Sequence, residues 1–237
     1  MKKHYLVGNA HIDPVWLWRW QDGYSEVLAT FRSALDRMKE FEDYKFTSAC
    51  SAYYRWVEET DPSMFEEIRK RVKEGRWNIV GGWVIQPDCN LPCGESFARQ
   101  ALVGQRYFKE KFGVCAKSGY NGDSFGHNAS LPKILRAGGM SRYVFMRPSE
   151  GEYPLGFDQF IWESDDGSAV SRILSYGPSM TVEKIRANAA RTKADGVERM
   201  SFFGVGNHGG WRQRTVFGGI APGNAERGRF RFGRRLL

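Results

Sequence analysis

A chain of 237 residues with 41% hydrophobic and 14% aromatic content holds enough apolar material for a sizeable core, and lies outside the low-hydrophobicity, high-charge compositions that leave chains disordered. Its formal charge of +8 raises nucleic acid as a partner, because clustered Lys and Arg neutralise phosphates; yet residues 211–237 hold seven Arg and one Glu, so +6 of that charge sits in the last 27 residues and no basic face is expected elsewhere. No apolar run approaches the roughly 20 residues that span a bilayer, so no membrane segment is expected.

The opening Met1-Lys-Lys-His-Tyr-Leu-Val7 runs straight into a strand pattern rather than a secretory leader, which predicts a cytoplasmic, reducing setting for Cys50, Cys89, Cys93 and Cys115. Cys89 and Cys93 have metal-like spacing. No second Cys or His pair follows at zinc-finger distance, so they read as structural.

In chain order, Tyr5–Asn9 reads as an apolar strand, and residues 26–40 as an amphipathic helix with Val27, Phe31, Leu35 and Met38 on one face. A second strand is predicted at Tyr44–Ala49, followed by helical patterning through Val57. Asp61-Pro62 is an N-cap and first-turn signal for a helix running to Lys73, closed by Gly75. Trp77–Val80 is a third strand, and a helix over 95–112 carries an apolar face of Phe97, Leu102 and Phe108. Further strands are predicted at 117–122, 143–146, 159–162, 169–174 and 200–203, with helices at 131–137 and 181–194. Strands alternating with helices imply a mainly parallel sheet, doubly wound or closed into a barrel, with its site at the carboxyl ends of the strands.

Three stretches sit at such ends. In Gly8-Asn-Ala-His11-Ile-Asp13-Pro14-Val-Trp16-Leu-Trp18, residues i and i+2 of an extended chain point the same way, so His11 and Asp13 can face one cation, and both are ordinary zinc ligands; a capped turn before Pro14 is the structural alternative. In Tyr120-Asn-Gly-Asp123-Ser-Phe-Gly-His127, Asp123 is either a metal-adjacent carboxylate, serving as ligand, nucleophile or both, or a helix or turn cap. His127 is at most a supporting group. In Gly81-Gly-Trp83-Val-Ile-Gln-Pro-Asp88-Cys-Asn90, polar groups suit sugar hydroxyls. Trp83, with Trp16, is either a sugar-stacking ring or a core or rim aromatic, while Asp88 and Asn90 are equally turn formers.

Together these motifs resemble glycoside hydrolase family 38, the α-mannosidases, in the N-terminal catalytic domain of its bacterial and cytosolic branch. The resemblance rests on H-I-D-P-V-W-L-W from His11, G-G-W-V-I-Q-P-D-C-N-L-P-C-G-E-S from Gly81, R-Q-A-L-V-G-Q-R-Y-F-K-E-K-F-G from Arg99 and G-D-S-F-G-H from Gly122. Arg147-Pro148, W-E-S-D-D-G-S from Trp162 and G-V-G-N-H-G-G from Gly204 extend it. It implies an α/β fold, a seven-stranded β/α barrel incomplete at its C-terminus. It also implies zinc held by His11, Asp13 and Asp123, Asp123 as catalytic nucleophile, Trp16 as a sugar-stacking ring, and terminal α-linked mannose in glycans or oligosaccharides as the carbohydrate substrate, hydrolysed with retention; the loop reading adds Trp83 and Asp88 as substrate contacts.

Two departures accompany the resemblance. The family's fourth zinc ligand, a histidine, lies beyond this chain's end, and Asn207 stands where some relatives carry an aspartate, so the acid/base is not assigned. His208 is not assigned in its place, although four-coordinate zinc leaves room for it or for water. From Trp211 the text turns Arg- and Gly-rich, and the expectation is a catalytic domain over 1–210 followed by a frame-shifted tail over 211–237. Two other functions compete: a catalytically inactive remnant of such an enzyme, and a metal-dependent polysaccharide deacetylase. The latter lacks support because no His-x-x-x-His pair occurs.

Overall fold

A computed structural model describes residues 3–148, 152–154, 159–174 and 181–204; Asn207, His208 and the 211–237 segment fall outside them. The chain divides into two compact units, one from the described residues of 1–47, 61–77 and 176–236, the other from those of 48–60 and 78–175.

In the first unit, β1 (His4–Asn9), β2 (Phe46–Ser48), β3 (Trp77–Ile79) and β8 (Arg199–Phe203) form a sheet in the order β3-β2-β1-β8. β1 is parallel to β2 and to β8, with His4 opposite Arg199 and Gly8 opposite Phe203. Helix α1 (Trp20–Glu40) buries Val27, Phe31, Leu35 and Met38, the predicted stripe. Phe31, Phe46 and Trp77 meet edge to face, with Trp77 5.0 Å from Phe31 and 4.7 Å from Phe46 between centroids, an arrangement that adds quadrupole attraction to the burial of three large rings. The C-terminus of α1 leaves carbonyls without helical partners. Arg76 donates to two carbonyls there, Met38 O and Phe41 O, at 2.7 Å each, placing a cation where the helix dipole favours one. Helix α3 (Pro62–Lys73) starts as its sequence predicts: the Asp61 carboxylate accepts from Met64 N at 2.9 Å and Pro62 occupies the first turn.

Buried polar groups lie beneath helix α6 (Val182–Asp195). His4 Nε2 contacts Ser201 Oγ at 2.8 Å, and Asn188 donates to the same hydroxyl at 3.1 Å. Burial, with Arg199 adding to it, pulls the His4 pKa down to about 4. The unfolded chain takes up this proton near pH 6.5 and the folded chain near pH 4. The neutral histidine therefore contributes stability that is complete above pH 6.5 and is lost as pH falls towards 4, by at most about 3 kcal/mol. Urea midpoints taken across that window should decline in the wild type and decline less in His4→Gln.

In the second unit, β4 (Ser118–Asn121), β5 (Arg142–Phe145), β6 (Gln159–Glu163) and β7 (Ala169–Leu174) form a sheet in the order β4-β5-β7-β6. β4, β5 and β7 run parallel, and β6 pairs antiparallel with β7 as a hairpin. Helices α2 (Ser51–Thr60), α4 (Gly94–Phe112) and α5 (Leu131–Ala137) complete the unit. Its core gathers Trp83, Phe97, Ala101, Leu131, Leu135, Tyr143 and Phe145. Tyr54 of α2 meets Phe108 and Phe112 of α4 at 5.5 and 5.3 Å.

Two expectations change. Leu102 is 68% exposed, and the buried face of α4 runs through Phe97, Ala101, Gly104 and Phe108; five residues past Phe97, Leu102 is rotated about 140° from it, so side-chain bulk misleads where the 3.6-residue period does not. The described strands form two four-stranded sheets, one with an antiparallel edge pair, and no ladder among the described residues joins them into a closed seven-stranded ring. The Asp165-Asp166-Gly167 turn accounts for the antiparallel edge. Asp166 accepts from Ser168 N at 3.0 Å and Gly167 has φ +77°, a tight connection that allows only a hairpin return. No helix among the described residues is long and apolar enough to cross a membrane.

Candidate functional site

In the first unit the carboxyl end of β1 is fixed by Asn9, which is buried and donates to Thr47 O and Thr47 Oγ1 at 3.0 and 3.1 Å. The chain then leaves the sheet through His11, 6% exposed, and Ile12, 2% exposed. His11 and Asp13 meet as their spacing predicts, with His11 Nε2 donating to Asp13 Oδ1 at 3.0 Å. Trp18 folds the loop back by donating its indole N–H to Asp13 O at 3.1 Å. Beyond the pair, Trp16 is 62% exposed, with Val15 and Leu17 beside it also in solvent; its ring is available to a ligand.

In the second unit Asp123 follows β4 by two residues, and Arg147 follows β5 by two. Because β4 and β5 are parallel and in register from Ser118–Arg142 to Asn121–Phe145, both side chains emerge at neighbouring carboxyl ends, where α/β folds place their sites. Gln86 Oε1 accepts from Gly122 N at 2.9 Å, and Met146 N donates to Gly122 O at 3.1 Å, holding the exit of the strand.

Arg147 Nε donates to Asp123 Oδ1 at 2.5 Å, and Arg147 also binds Glu152 and lies 5.0 Å over the Phe125 ring. The Asp123 carboxylate first, with Glu152 adding to it, holds the Arg147 guanidinium above its ordinary pKa. Among the described residues nothing donates to Asp123 Oδ2. One carboxylate oxygen is thus gripped by the guanidinium. Asp123 is not the helix cap that its local sequence also allows; Ser130 precedes α5.

The third stretch behaves differently. Trp83, expected as a sugar-stacking ring, is fully buried. Its indole N–H donates to Asn121 Oδ1 at 2.9 Å, and its ring packs edge-on to Phe97 at 6.1 Å, so neither face is open to a sugar. Asn121 in turn donates to Pro87 O at 2.9 Å, tying the loop to β4. Trp83→Phe should cost about 1–3 kcal/mol in a urea titration because it leaves a buried acceptor unpaired, whereas Trp16→Ala should stay within about 0.5 kcal/mol of wild type. Asp88 is exposed, and its Oδ1 accepts from Asn90 N and Leu91 N at 2.8 and 2.9 Å, the turn-forming arrangement of its alternative reading.

Of the expected zinc set, the structure pairs His11 with Asp13, and among the described residues no three His, Cys, Asp or Glu side chains are gathered to hold a metal ion. Asp123 pairs with the Arg147 guanidinium in the second unit. Arg147 beside Asp123 and Asn121 beside Trp83 are residues around the candidate site that sequence reasoning misses. The Arg147-Pro148 pair just past a strand is the available signal for the first.

Comparison with known proteins agrees with the motifs. The family model for the N-terminal domain of glycosyl hydrolases family 38 matches residues 1–224. Alpha-mannosidase G of Dictyostelium discoideum is 32% identical over 87% of this chain and 20% of that protein; the alpha-mannosidase of Saccharomyces cerevisiae is 28% identical over 79% of this chain and 18% of that protein. The chain spans about a fifth of the length of these relatives. An alpha-mannosidase from Enterococcus faecalis V583 shares the fold, with a TM-score of 0.78 at 20% identity over 99% of this chain and 28% of that one. With ordered motifs at the strand ends and a family model covering nearly all of its length, this chain belongs to glycosyl hydrolase family 38, through that family's N-terminal domain.

Proposed function

We propose that this chain carries the nucleophile half of an α-mannosidase site, which cleaves terminal α-linked mannose from glycans or oligosaccharides with retention of configuration. The observation that carries this is Asp123 at the carboxyl end of β4, with Oδ1 fixed by Arg147 and Oδ2 without a protein donor among the described residues. In the first step Oδ2 attacks the anomeric carbon, forming a glycosyl ester as the bond to the leaving oxygen breaks and that oxygen takes a proton from a general acid. In the second, water attacks the same carbon, gives its proton to that group's conjugate base, and releases the Asp123 carboxylate. Arg147 offsets the negative charge of Asp123 before attack and again as it departs.

His11, Asp13 and Asp123 are proposed as zinc ligands. The donor chemistry of the first two fits, since an imidazole nitrogen and a carboxylate oxygen already converge at 3.0 Å and share a proton that a cation would replace. Bound zinc would supply Lewis-acid polarisation of the sugar hydroxyls. Trp16 is proposed to stack on the sugar face and Asp88 to contact a hydroxyl from its exposed loop. The four free thiols, with Cys93 exposed, support a reducing, cytoplasmic setting.

Aryl α-mannoside hydrolysis, with the product anomer read by NMR before mutarotation and metal content measured by mass spectrometry, tests this reading. Initial release of α-mannose from zinc-loaded protein supports it. Release of β-mannose contradicts the double displacement, and loaded, folded protein without turnover favours the inactive remnant.

A further inference from the structure

Arg147 can hold Asp123 only if its backbone is held in turn, and the group that does so is the partly buried His127. His127 Nε2 lies 2.7 Å from Arg147 O. A carbonyl only accepts, so Nε2 carries the hydrogen; in a neutral ring Nδ1 is then the acceptor, and Tyr143 Oη, 3.0 Å away, donates to it. The hydroxyl oxygen is left to accept from the Cys89 thiol at 3.5 Å. This orientation is enforced by packing: the His127 ring lies 4.3 Å from Phe145, 5.5 Å from Tyr143 and 6.2 Å from Trp162, and Tyr143 is fully buried in the core. The same cluster reaches the other flank of Asp123, since Cys89 Sγ and Asn121 Nδ2 contact Ser124 Oγ at 3.5 and 3.4 Å.

We propose that His127, oriented by Tyr143, is a positioning residue that fixes the Arg147 backbone and, through the guanidinium, the attacking carboxylate of Asp123. This rests on the reading of Asp123 as nucleophile, but its structural half is tested without turnover.

His127→Gln and His127→Asn separate the two ends of the ring. The longer amide can still donate to Arg147 O, whereas the shorter one reaches only the Tyr143 side. The Arg147 Nε–H resonance, assigned by its loss in Arg147→Lys, reports the grip on Asp123 in full-length protein, and the remaining amide peaks report folding. The expected result is a wild-type-like Arg147 Nε–H signal in His127→Gln and its loss to solvent exchange in His127→Asn. In active protein, kcat should fall about 100-fold in His127→Asn, the scale of a misplaced reacting group, with KM nearly unchanged and most of the loss recovered in His127→Gln. An unaltered Arg147 signal in both variants, or equal loss in both, overturns the proposal whether or not the chain hydrolyses mannosides. No turnover in zinc-loaded wild type, together with the expected Arg147 signals, overturns only the reading of the chain as an active α-mannosidase and leaves the positioning role of His127 standing.

Discussion

Asp123→Asn is expected to lower aryl α-mannoside turnover by on the order of 10⁴-fold or more, since the nucleophile and its alternative routes act as a unit, while the protein stays folded. The substitution keeps the shape of the side chain and its contact with Arg147, but an amide does not form the glycosyl ester. Because Asp123 is partly exposed and its partner Arg147 more so, the ion pair contributes modestly to stability, and the urea midpoint should move by less than about 1 kcal/mol. A large fall in stability with an unchanged rate per folded molecule would show that Asp123 is structural.

The second large effect comes from a residue that touches no ligand. Gly23 lies in the first turns of α1, and a Cβ there would stand 2.3 Å from Pro14 O, 2.7 Å from Pro14 C and 2.8 Å from Pro14 Cα. Helix propensity alone would make Ala better by about 1 kcal/mol. All three clashing atoms are backbone, so no rotamer relieves the contact, and overpacking of this kind costs about 1–3 kcal/mol or more. Pro14 follows Asp13 directly, so Gly23→Ala is expected both to lower the urea midpoint and to displace the His11–Asp13 pair, weakening zinc uptake. Gly94→Ala is the matched control, because nothing lies within 4 Å of the point its Cβ would occupy, and it should be neutral or slightly stabilising. Gly23→Ala as stable and as zinc-competent as wild type would show that α1 does not set the geometry of the loop.

The features legible in the sequence are those fixed by local chemistry. Asp61-Pro62 marks the start of α3 because capping and proline's fixed φ act within one turn. His11 and Asp13 converge because strand periodicity alone puts them on one side. Helix α1 begins at Trp20, six residues before the predicted start at 26, because the Asp22 carboxylate accepts from Arg19 N at 3.1 Å and Asp22 N donates to Arg19 O at 3.0 Å; the Ser or Thr that usually announces a helix start is missing there. What escapes depends on partners far along the chain. Trp83 looks like a ligand platform until Asn121, 38 residues later, is seen to take its indole N–H. Arg147 comes beside Asp123 only because β5 pairs in register beside β4, and the arrangement of the eight described strands as two sheets follows from pairings that no local pattern encodes.

The role of Asp123 as nucleophile is tested most directly by peptide mapping of the protein after incubation with a fluorinated mannosyl fluoride, whose slow second step traps a glycosyl ester on the attacking carboxylate. One fluoromannosyl unit is expected on the peptide that contains Asp123, absent in Asp123→Asn. No adduct on folded, zinc-loaded protein, or an adduct on another carboxylate, would contradict that role.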